Sequence, residues 1–126
     1  MRMPRVSKGI RSGLIAVSAV VLTSLISTPA SASTSAPMIG YGNAGWAVKC
    51  VQAGINEWHR GKNMSHLDIA VDGIFGTATL REVKHFQDYY DYDVDGVVGP
   101  KTGNGLYWTF IDHLQLGCYN SVPTTE

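Results

Sequence analysis

The stretch VDGIFGTAT, residues 71–79, decides the fold, and VDGVVGPKT, residues 94–102, repeats it 23 residues later. Each copy has an Asp-Gly pair, two apolar residues, a second Gly and, three places on, a Thr. An Asp-Gly pair marks a turn, since Asp accepts hydrogen bonds from neighbouring backbone N–H groups and Gly adopts positive φ without steric cost. Gly76 and Gly99 suit helix N-caps, and Pro100 suits the first position of a helix. The sequence therefore predicts one unit used twice, a tight turn that leads into a helix.

Apolar residues at helical spacing predict three helices, at residues 46–60, 77–90 and 100–114. Their expected inner faces are Ala47, Val51, Ile55 and Trp58, then Leu80, Val83, Phe86 or Gln87 and Tyr90, then Leu106, Phe110 and Leu114. Gly103 and Gly105 weaken the start of the third helix, because glycine costs about 1 kcal/mol relative to alanine. The predicted fold class is all-α, a small three-helix bundle with two Asp-Gly turn repeats.

The first 32 residues have the three regions of a secretory signal peptide. These are the basic residues Arg2, Arg5, Lys8 and Arg11, an apolar run at 13–26, and the cleavage pattern Ala30-Ser31-Ala32. The run is shorter than the ~20 residues of a transmembrane helix, so an uncleaved anchor is the weaker alternative. Cleavage near Ala32 is expected to leave a flexible leader at 33–40, one domain at 41–119 and a frayed tail at 120–126.

Loss of the signal peptide changes the charge of the protein. The chain has 10 basic and 10 acidic residues, and residues 1–32 hold four of the basic ones and none of the acidic ones. The remaining six basic and ten acidic residues give a net charge of −4. Nucleic acids and anionic membranes favour a basic face, so we expect neither as a partner.

Cys50 and Cys118 are the two cysteines of the chain. An even number in a small exported domain predicts a disulfide, whereas two cysteines alone do not make a zinc site. The bond would close a loop of about 69 residues and contribute on the order of 4 kcal/mol to stability. A domain with so small a core depends on such a crosslink.

In their order and spacing, these motifs resemble the peptidoglycan-binding domain found beside bacterial cell-wall hydrolases. The matching positions are Gly42, Gly45, Val48, Val51, Gln52 and Ile55, then Val71 to Thr79 with Val83, Phe86 and Gln87, then Val94 to Thr102 with Leu106. The chain departs from the family pattern at Gly103 and Gly105, in its cysteines and in the tail after Leu114. The resemblance implies an all-α fold, no catalysis, and binding to murein glycan or stem peptide.

Two kinds of group are candidates for the ligand site. Sugars bind to flat apolar faces; the aromatic candidates are Trp46, Phe75, Tyr89, Tyr92, Tyr107 and Trp108, about half of them expected in the core. The helix N-termini that follow the turns have free N–H groups for a stem-peptide carboxylate. The predicted ligand-binding residues are Asp72, Phe75, Thr77, Asp95, Tyr92 and Tyr107.

The sequence contains the opening of a calcium loop, at Asp91, Asp93 and Asp95. The twelfth position of such a loop should be a bidentate Glu, and here it is Thr102. We therefore interpret the string as an acidic linker that overlaps the second turn.

Four histidines stand on different predicted elements without a His-Glu-x-x-His pattern. They are His59, His66, His85 and His113. This spacing predicts four surface histidines, and neither a metal site nor a cofactor.

The predicted function is therefore non-catalytic peptidoglycan binding by a secreted bacterial protein that stands alone, without an enzyme domain. No nucleophile-elbow sequence occurs, and so short a chain leaves little room for a cleft between paired carboxylates. The expected partners are peptidoglycan and a separate cell-wall hydrolase, and the expected state is monomeric. The alternatives are a small secreted effector, inhibitor or enzyme accessory that binds a protein with the same fold, and a small cell-wall hydrolase.

Overall fold

Three helices joined by the two Asp-Gly turns make up the computed structural model, which describes residues 36–125. Helix α1 spans Trp46–Gly61, α2 spans Thr77–Tyr89 and α3 spans Pro100–Leu106. Extended pairing within residues 36–125 is limited to isolated bridges, such as Ile39 with Val98. The all-α, three-helix prediction is confirmed. The predicted signal peptide at 1–32 lies outside the described residues.

The core forms where the predicted faces of α1 and α2 meet. Val51, Ile55 and Trp58 of α1 are fully buried, as are Val83 and Phe86 of α2. The Trp58 and Phe86 rings pack edge to face with their centroids 5.2 Å apart, a favoured aromatic geometry. Periodicity therefore identified the inner faces of both helices correctly.

The third predicted helix, residues 100–114, is helical to its end but is α-helical only over Pro100–Leu106. After α3 the chain forms a π-helical segment, Tyr107–Ile111, and then a single 3₁₀ turn. The i→i+5 hydrogen bonds of a π-helix widen the turn, and the buried residues here are Leu106 and Ile111, five positions apart. The expected inner residues Phe110 and Leu114 are only partly buried as a consequence.

Gly54 lies where α1 crosses this π-helical segment. A Cβ at Gly54 would stand 2.6 Å from Ile111 Cγ1 and 3.0 Å from its Cδ1. Ile111 is 1% exposed, so it cannot move aside into solvent. The glycine that weakens α1 as an isolated helix is therefore required by the close approach of the two segments.

Gly54→Ala is expected to lower the free energy of unfolding by about 1 kcal/mol. Overpacking a core costs roughly 1–3 kcal/mol, and the better helix propensity of alanine recovers roughly 1 kcal/mol. Gly61→Ala is the matched control, because a Cβ at the end of α1 meets open space and should leave stability unchanged or slightly raised. Urea unfolding followed by circular dichroism measures both. Equal stability of the two variants would contradict the close packing at Gly54.

Both ends of the described chain pack more closely than the sequence predicted. Ile39 is 3% exposed and exchanges backbone hydrogen bonds with Val98, at 3.1 and 2.8 Å. Val122 is fully buried, and a Cβ at Gly103 would collide with the carbonyl oxygen of Pro123. The flexible leader therefore cannot extend to Ile39, and the frayed tail cannot include residues 122–124, because these residues complete the core.

The predicted disulfide is confirmed. Cys50 of α1 and Cys118 are bonded, with 5.9 Å between their Cα atoms, and both are buried. The bond ties the segment after the π-helix to the middle of α1. None of the helices in residues 36–125 has the length and apolar character needed to cross a bilayer.

Candidate functional site

Gln52, buried in α1, holds the first Asp-Gly turn together. Its Nε2 lies 3.0 Å from Asp72 Oδ1, 3.1 Å from the Ile74 carbonyl and 3.0 Å from Thr79 Oγ1. Its Oε1 accepts a hydrogen bond from the Gly73 N–H at 2.9 Å. Gly73 has φ of 79°, a conformation that glycine adopts without strain. One side chain thus joins α1, the turn and the start of α2.

Gln87 of α2 makes the same contacts with the second turn. Its Nε2 lies 2.9 Å from Asp95 Oδ1, 3.0 Å from the Val97 carbonyl and 3.1 Å from Thr102 Oγ1. Its Oε1 accepts from the Gly96 N–H at 2.8 Å, and Gly96 has φ of 76°. The repeat in the sequence is therefore a repeat in structure, with one glutamine at the centre of each copy.

A shallow cavity lies beside each turn, of about 190 Å³ at the first and about 210 Å³ at the second. The first cavity is lined by Gln52, Ile69, Ala70, Asp72, Ile74, Gly76, Thr77, Ala78 and Thr79. The second cavity is lined by Met38, Tyr92, Asp93, Asp95, Val97, Gly99, Pro100, Lys101 and Thr102. Ile74 is 61% exposed and Met38 65%, so each cavity has an apolar side chain available to a ligand.

The first cavity combines hydrogen-bond donors and acceptors. No side chain caps α2 at Gly76, and the first-turn N–H groups of a helix lack intrahelical partners. Thr77 and Ala78, which belong to that first turn, line the cavity. The Asp72 carboxylate also lines this cavity and provides a hydrogen-bond acceptor. This arrangement suits a ligand that carries both carbonyl and N–H or hydroxyl groups.

The predicted ligand-binding residues fall into three groups. Asp72 and Thr77 line the first cavity, and Tyr92 and Asp95 line the second. Phe75 and Tyr107 are 1% and 4% exposed. The prediction is corrected for these two, because side chains packed in the core cannot contact a cell-wall polymer. Trp46, Tyr89 and Trp108 are about half exposed and line neither cavity.

The two glutamines at the turns were missed as site residues. Each follows a buried apolar residue, as Val51-Gln52 and Phe86-Gln87. A buried polar side chain needs hydrogen-bond partners, and an Asp-Gly turn follows each pair along the chain, with its Asp 20 residues after Gln52 and 8 residues after Gln87. That repetition was the available signal.

The acidic string also serves the second turn. Asp95 Oδ1 accepts a hydrogen bond from the Val97 N–H at 2.9 Å, in addition to the contact with Gln87. Within residues 36–125, the cluster of side chains whose ligand atoms converge does not include Asp91, Asp93 or Asp95. Asp95 therefore acts as a residue of the second turn.

The two turn aspartates are expected to make the protein sensitive to acid. Hydrogen bonds from the Ile74 N–H to Asp72, and from the Val97 N–H to Asp95, lower the pKa of each carboxyl below its ordinary value of 3.8. A lowered pKa contributes stability that is present above 3.8 and is lost as pH falls through the folded-state pKa.

Melting temperatures measured from pH 7 to pH 2 should therefore fall steeply below pH 3.8. The Asp72→Asn/Asp95→Asn variant keeps the accepting oxygens but cannot titrate, so its decline in the same range should be shallower. Asp93→Asn removes a charge from the linker without touching either turn and is the control. Parallel curves for wild type and the double variant would contradict the assignment.

A family model described as a peptidoglycan binding domain matches residues 48–105 of the chain. The chain is 35% identical over 81 residues to an uncharacterized protein in the bpoA1 3' region of Kitasatospora aureofaciens, covering 64% of this chain and 60% of that protein. It is 36% identical over 66 residues to the zinc D-Ala-D-Ala carboxypeptidase of Streptomyces albus G, covering 52% and 24%. The chain thus spans less than two thirds of the length of either relative.

Two solved structures are also similar. One is a peptidoglycan-binding protein from Clostridioides difficile in complex with glutamine hydroxamate, with 30% identity, a TM-score of 0.47, and coverage of 56% of this chain and 40% of that one. The other is the SleB N-terminal domain, with 30% identity, a TM-score of 0.48, and coverage of 57% and 90%.

Proposed function

Because the chain belongs to the peptidoglycan-binding domain family, whose model matches residues 48–105, we propose that it is a secreted protein that binds peptidoglycan without catalysis. The observation that carries the proposal is the paired glutamine-centred turns. Both turns, from Asp72 to Thr79 and from Asp95 to Thr102, lie inside the matched residues, and each is the wall of a cavity.

The chemistry of the first cavity supports a glycan or stem-peptide ligand. Both contain amide groups, which offer a carbonyl to the N–H groups at the start of α2 and an N–H to Asp72. Ile74 and Ala70 provide apolar contact for methyl groups. Mixed polar and apolar lining of this kind is typical of small-molecule sites.

The similarity over 66 residues to part of a zinc D-Ala-D-Ala carboxypeptidase supports a separate cell-wall hydrolase as a second partner. The protein would hold to the wall while such an enzyme acts on it. The net charge of −4 after signal-peptide cleavage does not favour nucleic acid as a partner. Sedimentation velocity tests the expected monomer.

Co-sedimentation with purified sacculi tests the proposal. The purified, disulfide-bonded protein should pellet with sacculi in a saturable manner, and dye-labelled murein should release no dye. Protein that stays in the supernatant at all sacculus concentrations would refute wall binding and favour the protein-binding alternative. Released dye would refute a non-catalytic role.

Two exposed substitutions locate the site. Ile74→Ala removes an apolar contact of the first cavity, and Met38→Ala does the same at the second. Leu116→Ala is the matched control, because Leu116 is an exposed aliphatic residue that lines neither cavity. If Ile74→Ala reduces co-sedimentation and the other two variants do not, the ligand binds at the first cavity. If all three variants bind as wild type, the ligand contacts another surface.

A further inference from the structure

His59, Glu82 and His85 meet between α1 and α2, and none of the three lines either cavity. His59 Nε2 and His85 Nδ1 each lie 3.1 Å from the same oxygen, Glu82 Oε2. Glu82 and His85 are three residues apart in α2, so they share one face of that helix. The prediction of four surface histidines is wrong for His59, which is fully buried.

The spacing of these three atoms is that of a metal site. All three ligand atoms lie within 4.8 Å of one another. Zinc bonds to histidine nitrogen and carboxylate oxygen at 2.0–2.2 Å, so ligand atoms around a tetrahedral ion are roughly 3.4 Å apart. To admit an ion, the two contacts at 3.1 Å must lengthen slightly, and the histidine nitrogens, which lie within 4.8 Å of one another, must reach a similar separation.

The surrounding residues hold the ligands in position. Asp68 Oδ1 lies 3.2 Å from His59 Nδ1, the carboxylate–histidine contact that orients metal-binding histidines. Arg81 Nε donates a hydrogen bond to Glu82 Oε1. Glu82 would therefore bind an ion through Oε2 only.

His59 lies between two carboxylates. Both of its ring nitrogens face carboxylate oxygens, Asp68 Oδ1 and Glu82 Oε2. A protonated imidazole donates to both, whereas a neutral imidazole has one N–H and donates to only one. A metal ion between His59 Nε2 and Glu82 would take the place of the second proton, because Nδ1–H then donates to Asp68 and Nε2 binds the ion. The nearby guanidinium of Arg81 is largely exposed, so water screens its charge.

We propose that His59, Glu82 and His85 form a zinc-binding site with an open fourth position on the side of His85. The His85 side chain is 37% exposed, whereas the other two ligands are buried. An ion can therefore enter past His85, and water fills the fourth position. Two histidines and one glutamate with a free position are a recurrent zinc ligand set.

Titration of the tag-free, metal-stripped protein with zinc chloride tests the site. Calorimetry should give one zinc per chain, and cobalt in place of zinc should give the strong visible absorption of a tetrahedral complex. Cobalt should also quench the fluorescence of Trp58, whose ring centroid is 5.1 Å from those of both histidines. Absence of saturable binding at one equivalent would overturn the proposal and leave the cluster as a hydrogen-bonded network.

Three variants separate a metal site from adventitious binding. His85→Gln removes a partly exposed ligand and should weaken zinc binding by more than 100-fold, whereas Asp68→Asn should weaken it by about 10–100-fold. His66→Gln, an exposed histidine outside the cluster, should bind as wild type. Wild-type affinity in His85→Gln would overturn the proposal. Circular dichroism checks that each variant is folded. If His85→Gln is unfolded, the zinc affinity of Asp68→Asn decides, and wild-type affinity in that variant would overturn the proposal.

Discussion

Removal of the Cys50–Cys118 disulfide is expected to lower the free energy of unfolding by about 4 kcal/mol. The two cysteines are separated by 68 residues, so the bond constrains most of the unfolded chain. Loss of that constraint favours the unfolded state through its conformational entropy. Single domains are typically stable by roughly 5–15 kcal/mol, so the reduced protein should be close to its folding limit.

The measurement is urea unfolding of wild type and of Cys50→Ala/Cys118→Ala, with intrinsic fluorescence as the probe. Reductant should lower the midpoint of wild type towards that of the variant and leave the variant unchanged. Co-sedimentation at low temperature, where the variant remains folded, should be preserved, because neither cysteine lines a cavity. Equal midpoints for the oxidised and reduced proteins would contradict the prediction.

Gln52→Met is the second change with a large expected effect, a loss of about 2–4 kcal/mol. Methionine has a similar shape but cannot replace the hydrogen bonds to Asp72, Thr79 and the turn backbone. The Gly73 N–H donates to Gln52 Oε1 at 2.9 Å. In the variant this N–H would be buried without a partner. An unsatisfied buried donor costs roughly 1–3 kcal/mol, and the remaining lost contacts supply the rest.

Gln87→Met tests whether the two turns are energetically equivalent as well as geometrically alike. Its contacts match those of Gln52 within 0.1 Å, so its loss should be similar. Thr79→Val is the graded comparison, because it removes one contact of Gln52 and a long 3.5 Å hydrogen bond to the Ile74 carbonyl, and it should cost about 1 kcal/mol. If Gln52→Met costs no more than Thr79→Val, the glutamine is not the centre of the turn.

The first two helices illustrate what a short sequence pattern predicts well. Residues such as Val51, Ile55 and Val83 recur at helical spacing, and burial of that stripe is the strongest local determinant of a helix. Gly76 and Gly99, with the turns that precede them, mark the helix starts that the structure shows. Local geometry and core burial agree at these positions, so the pattern was sufficient.

The third helix and the site residues were less predictable because they depend on contacts between distant parts of the chain. The π-helical segment shifts the buried face from Phe110 to Ile111, which local spacing does not encode. Phe75 and Tyr107 have the residue types of sugar-binding aromatics, and only their packing shows that they belong to the core. Residue type does not distinguish a binding aromatic from a structural one.

The repeat VDG-x-x-G-x-x-T by itself determined the two turns and the starts of α2 and α3. Those properties depend on backbone conformation within a few residues, which Asp, Gly and Thr specify directly. Only the tertiary structure decided that Gln52 and Gln87 hold the turns, and that His59 meets Glu82 and His85. Gln52 and Gln87 contact turn residues 8 to 27 positions away, and His59 of α1 meets Glu82 of α2 23 positions away, so their convergence follows from tertiary packing.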